Sequence, residues 1–393
     1  MNGGYFLILI TSIFSCGSSP SVEKKKDELA KEERKNDHVS VSDTSKIPTS
    51  ESYSSGNQKD RIKIVSYNVL KYGDACQAPN AEMHNYLKTI VKYTSPDILG
   101  LVKVGAFKLS GNDKSADIAM GFQDSILNNA LNNAFPGKYG VCPTTNNAQG
   151  NNMNLLFYNK QKFGFSSVKN LCSSETDFDL YKLYDRQLTS KGDTAYLYFI
   201  LNHTKSGNKS DERDQQAQCI MAALKKEFNK LPDLIDMGDY NLHNTDEPGY
   251  HALVSNPDEG QKFFDPPFFP DHKVSYPADW TTDPEKYAPF LTTSTRKKAD
   301  DPNSCGTDGG AKSWFDHILL SKSLVTPSNK IHYVANSYHT VGNDGQRVGI
   351  SVNQKKHPNT IVPENVADAL FQFSNKYPVM LELEVTGNKK GAE

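Results

Sequence analysis

Five polar residues stand at the ends of segments that otherwise read as apolar strands. They are Asn68 in Tyr67-Asn68-Val69, His203 in Asn202-His203-Thr204-Lys205-Ser206-Gly207, Asp239 and Asn241 in Met237-Gly238-Asp239-Tyr240-Asn241, and Asp316 in Trp314-Phe315-Asp316-His317-Ile318. Carboxylates and an imidazole move protons, and carboxylate and amide oxygens hold hard cations. Imidazole and carboxamide N–H groups bind anions. Each group alone is common, because Gly-Asp-x-Asn also makes ordinary turns and a lone histidine is more often structural. Gathered on one edge of a sheet, they would form an acid–base or ion-binding centre.

The elements that could gather them follow from periodicity. Ile62–Leu70 is β-rich and reads as a strand ending at a polar residue. Met83, Tyr86, Leu87, Ile90 and Val91 fall at helical spacing. Strands are expected at Ile98–Val104, Asn154–Tyr158, Ala195–Leu201, Leu234–Asn241, Trp314–Leu320 and Ile331–Val334. A closing strand is expected over Ser374–Val385. Helices are expected over Ile118–Ala134 and Glu212–Asn229, the second with Ala217, Ile220, Met221, Leu224 and Phe228 on one face. A Pro-, Asp- and Lys-rich stretch, about 256–312, carries no periodicity. Strands mixed with helices, several ending in Asn, His or Asp, point to an α/β sandwich with polar residues along one edge.

The chain has 393 residues, 37% of them hydrophobic, which is enough for one large core or two ordinary ones. Its formal charge of -2 argues against global attraction to nucleic acid, so any anion site must be local. The six cysteines form no CxxC or Cys/His cluster, which argues against a zinc site. The N-terminus carries an apolar run from Tyr5 to Phe14, too short to span a bilayer comfortably, followed by Ser15-Cys16-Gly17. This resembles a bacterial lipoprotein signal over residues 1–16, with Cys16 as the lipidated residue; the alternative is a plain secretory signal. Residues 17–60 are rich in Lys, Glu and Ser and read as a solvated, disordered tether. The folded domain is expected over 61–387, exported and lipid-anchored to a bacterial cell envelope or surface.

The motifs around Asn68, His203, Asp239, Asn241 and Asp316, with Ser337-Tyr338 and Gly342-Asn343-Asp344-Gly345, come in the order of the endonuclease/exonuclease/phosphatase family. The later motifs resemble its bacterial extracellular branch. The resemblance covers about residues 61–385. It implies the deoxyribonuclease I-like fold, a four-layer α/β sandwich of two packed mixed β-sheets flanked by helices. It implies phosphodiester hydrolysis with Mg²⁺ or another divalent cation. Asn68 would help hold metal or phosphate, Asp239 would align or deprotonate the attacking water, and Asn241 would bind a phosphate oxygen. His203 would hydrogen-bond the phosphate, and Asp316 would position or charge-balance catalytic groups.

Two further positions depart from that pattern. Leu101-Val102-Lys103-Val104 has lysine where the family places its metal-binding glutamate. Ser374-Asn375-Lys376-Tyr377-Pro378-Val379 has Asn375 and Lys376 where an Asp-His pair is expected. Asn375 cannot ionise, and a charged lysine is a donor without an acceptor. Losing a general base costs about 10²–10⁴ in rate. The expectation is therefore a catalytically impaired relative, with no metal cofactor because of Lys103. Lys103 itself is expected to pair with Asp239 or Asp316. The ligand would be phosphate-containing or otherwise anionic, or a protein. The alternative is an active metal-dependent phosphodiesterase acting on nucleic acid or, less readily, on a phospholipid headgroup ester.

Overall fold

The computed structural model describes residues 60–73, 79–105, 122–148, 152–190, 195–298 and 306–386. The proposed signal, Cys16 and the tether before Asp60 lie outside the described residues, as do Cys76 and Cys305.

Two β-sheets make the frame. The first runs β11 (Ile331–Tyr333), β13 (Val379–Val385), β1 (Asp60–Tyr72), β2 (Ile98–Gly105), β4 (Asn152–Asn159) and β3 (Tyr139–Val141), with β12 (His339–Thr340) also on β13. The second runs β5 (Phe163–Ser173), β6 (Asp177–Asp185), β7 (Tyr196–His203), β8 (Leu234–Asp239), β10 (Asp316–Ser321) and β9 (Phe263–Phe264). Each sheet is mixed, with one parallel pair at its centre: β1 with β2, and β7 with β8. The central strands are nearly continuous in apolar residues because both faces are covered.

The sheets pack directly on each other. A Cβ added at Gly100 of β2 would stand 2.6 Å from both Leu201 Cδ2 of β7 and Met237 Cε of β8. On the outer face of the first sheet lie the helices Asn80–Thr94 and Glu364–Phe373, which contact each other. Residues 122–134 add a further helix with a π-helical turn at Leu127–Leu131. The second sheet is covered by Ser210–Glu227, which contacts both β5 and the short helix Pro248–Val254. Arg213 and Glu247, both buried, tie these last two helices with paired hydrogen bonds of 2.8 Å.

Most expected elements are present, with shifts of a few residues at their ends. One differs in a way that matters for the site. Ser374 to Pro378 is a connection, and β13 begins only at Val379. Helix Glu364–Phe373 runs directly into this segment, with Ser374 as its C-cap residue. Backbone bonds from Tyr377 N to Thr292 O and Thr295 N to Asn375 O hold the segment against residues 292–295. Its peptide groups are satisfied by a loop, so it needs no ladder partner.

Candidate functional site: an internal ion pair at the sheet ends

The parallel pairing of β7 and β8 sets His203 opposite Asp239. The antiparallel pairing of β8 and β10 sets Asp316 opposite Asp239 from the other side. Register alone therefore brings three of the five expected residues together. Asn68 arrives from the other sheet, where its Nδ2 donates to Asp239 Oδ2 at 2.7 Å. Asn241 follows two residues after Asp239 in the left-handed region (φ 48°), which asparagine tolerates well. Its backbone N–H donates to Asp239 Oδ1 at 2.9 Å, and its Nδ2 donates to Thr204 O at 2.9 Å. All five side chains are buried.

The cation facing Asp239 is Lys376. Its Nζ lies 2.9 Å from Asp239 Oδ2 and 4.0 Å from Asp316 Oδ2, and 4.4 Å from the centre of the Phe315 ring. Lys376 is itself buried. Ser374 fixes the approach, since its Oγ donates to Asn68 O at 2.8 Å and accepts from Lys376 N at 3.1 Å. The connection before β13 thus delivers an ammonium into the gap between the two sheets.

Lys103 enters differently. It sits in a β-bulge where β2 slips against β4 between Leu101 and Val104. Its φ is 60°, a strained value for a residue with a side chain. Its N–H donates to Asn154 Oδ1 at 3.3 Å, and Asn154 Nδ2 donates in turn to Leu201 O at 3.2 Å. The sequence pattern points to Lys103 as the cation paired with Asp239 or Asp316. That place is taken by Lys376, because the segment after helix Glu364–Phe373 enters directly between β1 and β8. Lys103 contributes a positive field felt by His203, Asp239 and Asp316.

Asn375 turns away from this cluster. Its Nδ2 donates to Thr307 Oγ1 at 2.9 Å, and its side chain lies against Gly306, where a Cβ would come within 2.8 Å. It orients no base.

The charges follow from burial and proximity. Burial alone would push the Asp239 carboxyl up, but Lys376, His203 and Lys103 outweigh it and hold the group below the usual carboxylate range. Burial and the neighbouring Asp239 charge push Asp316 well above that range. Burial brings His203 down to about 4, so its imidazole is neutral near neutral pH. Neither ring nitrogen of His203, nor either carboxyl oxygen of Asp316, has a hydrogen-bond partner among the described residues. Such orphaned buried groups mark a place where water or a ligand belongs.

A hard divalent cation does not fit this donor set. Asp239 Oδ2 is taken by Asn68 Nδ2 and Lys376 Nζ, and Oδ1 by the Asn241 N–H. Asn68 Oδ1 accepts from Leu70 N at 2.9 Å. Mg²⁺ needs several free oxygen ligands in near-octahedral array. Among the described residues no three His, Cys, Asp or Glu side chains form a metal-holding group.

Sequence reasoning missed several supporting groups. Thr292 Oγ1 accepts from the N–H groups of Phe315 and Asp316, both at 3.1 Å, and so positions the start of β10. Asn154 braces the bulge at Lys103. Their only sequence signal is polarity at a strand end or in a loop, which is too common to single them out.

No protein-family model matches the sequence, and no curated protein matches it. Solved structures do resemble the chain. One is TDP2 from D. rerio complexed with single strand DNA product, at 13% identity, covering 82% of this chain and 98% of that one, with a TM-score of 0.50. Another is an endonuclease/exonuclease/phosphatase family protein from Bacteroides thetaiotaomicron, at 14% identity, covering 84% and 96%, with a TM-score of 0.48. Two packed mixed sheets flanked by helices, in this strand order, make this the endonuclease/exonuclease/phosphatase fold, the deoxyribonuclease I-like fold.

Proposed function

We propose that this chain is a non-catalytic member of the endonuclease/exonuclease/phosphatase family, and that the cluster around Asp239 and Lys376, called the cleft below, holds an anionic group without cutting it. The observation that carries the reading is the buried Lys376 ammonium 2.9 Å from Asp239 Oδ2. A built-in cation neutralises the carboxylate that a bound metal or an attacking water would need. The general base pair is replaced by Asn375, which faces Thr307, and by Lys376, which faces Asp239. Lys376 offsets the Asp239 charge, and Lys103 adds a positive field to the cluster. That field and the unpartnered His203 nitrogens suit a phosphate-containing ligand or an acidic protein surface.

A second reading, an active metal-dependent phosphodiesterase, draws on the retained Asn68, His203, Asp239, Asn241 and Asp316. The similar TDP2 structure holds a single strand DNA product, which makes nucleic acid the first substrate to try. In that reading Lys376 must withdraw before a divalent ion can reach Asp239. Incubation with plasmid DNA and Mg²⁺, Mn²⁺ or Ca²⁺ separates the two. The wild-type chain should leave the plasmid intact, and the triple revertant Lys103→Glu, Asn375→Asp, Lys376→His should nick it. Robust cutting by the wild-type chain overturns the first reading.

The same proposal places the domain outside the cytoplasm, anchored through a lipid on Cys16. Metabolic labelling with a radioactive fatty acid should mark the wild-type chain and not Cys16→Ala. Equal labelling of both would sink the anchor.

A further inference from the structure

The opposite ends of the same strands carry a charged cavity. It has a volume of about 580 Å³ and is lined by Asp60, Arg61, Lys63, Ser95, Asp97, Lys138, Lys162 and Gln187. Arg61 lies seven residues before Asn68 on β1, which puts this pocket roughly 20 Å from the cleft. None of the motifs that point to the cleft reaches it.

Four cations face two carboxylates here, and the ion pairs are unevenly shared. Arg61 is engaged by Glu384 at 3.3 Å, with Glu382 at 3.9 Å. Lys162 is engaged by Asp97 at 2.9 Å and Asp60 at 3.3 Å. Asp97 is then fully used, accepting also from Asn159 Nδ2 at 2.9 Å and Lys63 N at 3.2 Å. The Lys63 and Lys138 ammoniums have no carboxylate within ion-pair distance among the described residues. Lys138 Nζ instead donates to Ser95 Oγ at 3.3 Å and sits over the Phe135 and Tyr139 rings, at 4.6 and 5.0 Å.

A cation held in this way is under stress. Burial pushes Lys138 below the ordinary lysine range; Asp97 opposes the shift, and the Lys162 and Lys63 charges add to it. Two like charges directed into one concave site repel unless an anion lies between them. A concave wall with an excess of one sign also concentrates counter-ions. A solvated surface lysine would swing away from its neighbours, whereas Lys138 is held by Ser95 and two aromatic faces.

We infer that the pocket bounded by Lys63, Lys138 and Lys162 is a second anion site, taking a phosphate group through lysine ammoniums and the Ser95 hydroxyl. The volume exceeds that of a bare phosphate, so the group can be the head of a larger ester. Inorganic phosphate and an anionic phospholipid headgroup present the same chemistry. The experiment separates them.

Binding of inorganic phosphate to the full-length chain is measured by calorimetry, alongside Lys138→Gln, Lys63→Gln, Lys138→Arg and, for the cleft, Lys103→Gln. Losing one charge-assisted contact should weaken binding on the order of tenfold in Lys138→Gln and Lys63→Gln. Lys138→Arg should restore most of it, and Lys103→Gln should leave this site unchanged. Circular dichroism confirms that each variant is folded. In parallel, the proteins are sedimented with phosphatidylcholine vesicles with and without phosphatidylglycerol. Capture by the anionic vesicles that falls in Lys138→Gln identifies the headgroup as the source, and phosphate binding alone identifies a soluble one. Either result supports the site. Equal affinity in wild type and Lys138→Gln, or no binding to either probe, overturns it. The cleft proposal does not depend on this outcome, because its test reads plasmid cutting.

Discussion

Lys376→Met keeps most of the side-chain length and removes the charge. It leaves Asp239 buried and without its ammonium, still hydrogen-bonded to Asn68 and Asn241. Breaking one side of a buried ion pair costs about 3–5 kcal/mol. The denaturant midpoint should fall accordingly, and the double variant Lys376→Met, Asp239→Asn should recover much of the loss. An unchanged midpoint in Lys376→Met would mean that the ammonium does not sit against Asp239. His203 carries a pH dependence with a definite sign. Its folded value of about 4 lies below its ordinary value of 6.5, so the unfolded chain takes up a proton that the folded chain refuses. The stabilisation is complete above pH 6.5 and drains away as pH falls towards 4, by on the order of 3 kcal/mol. Asp236, pushed up to about 7 by burial, and Asp316, also raised, act in the opposite sense, favouring the folded state as pH falls. The comparison is therefore wild type against His203→Gln, with stability followed by urea unfolding between those pH limits. The wild-type curve should be the one that drops more steeply on acidification, and parallel curves would contradict the assignment. The identity of these side chains is plain in the sequence, but their partners are not. A one-dimensional pattern gives the charge gained at Lys103 and Lys376 without saying which ammonium reaches Asp239. That depends on a connection whose path is set by Ser374, Thr292 and Thr295.

The strands that carry the site are held together at a point where only glycine fits. Gly238 of β8 lies beside Asn202 of β7 with φ at +150°, and a Cβ there would stand 1.8 Å from Asn202 O. Backbone cannot yield as a flexible side chain does, so Gly238→Ala must push β7 and β8 apart. We expect a loss of about 3 kcal/mol or more, read as a fall in the thermal midpoint. Amide exchange should be faster at Asn202 and His203 than in the first sheet. A variant as stable as wild type would show that the pair tolerates separation. The parallel pairs are legible because β1, β2, β7 and β8 are buried on both faces and read as near-continuous apolar runs. The β5–β6 hairpin is not. β5 is an outer strand whose middle is exposed or half-buried, and its ladder slips twice against β6. Polar residues such as Lys169, Asn170 and Asp179 break the alternation that marks a strand. Helix Glu364–Phe373 is absent from the expected elements, although Val366, Leu370 and Phe373 fall at helical spacing behind Pro363 and Glu364. Without it, the last strand extends back to Ser374, into the segment that delivers Lys376.

Together, the cleft and the frame decide how the protein responds to divalent ions. The sequence motifs carry an expectation of metal dependence, but here the carboxylate that would meet the ion already holds an ammonium. A ligand that binds only the folded state raises its stability by RT ln(1 + [L]/Kd), about 2.7 kcal/mol at a hundredfold excess over Kd. For a domain of this size each kcal/mol moves the midpoint by about 1–2 °C. Millimolar Mg²⁺ or Mn²⁺ should therefore leave the wild-type midpoint where it is in the metal-free protein. In the triple revertant, the Lys103→Glu change offers a carboxylate in place of a repelling charge, and the Lys376→His change removes the ammonium at Asp239. Its midpoint should be lower than wild type without metal, because Asp239 has lost its fixed partner. Saturating Mg²⁺ should then raise it by several degrees. Matched ionic strength with a monovalent salt removes general screening from the comparison. A wild-type midpoint that climbs with Mg²⁺ would show that Lys376 gives way to a cation, and would move the protein to the metal-dependent reading even before any substrate is cut.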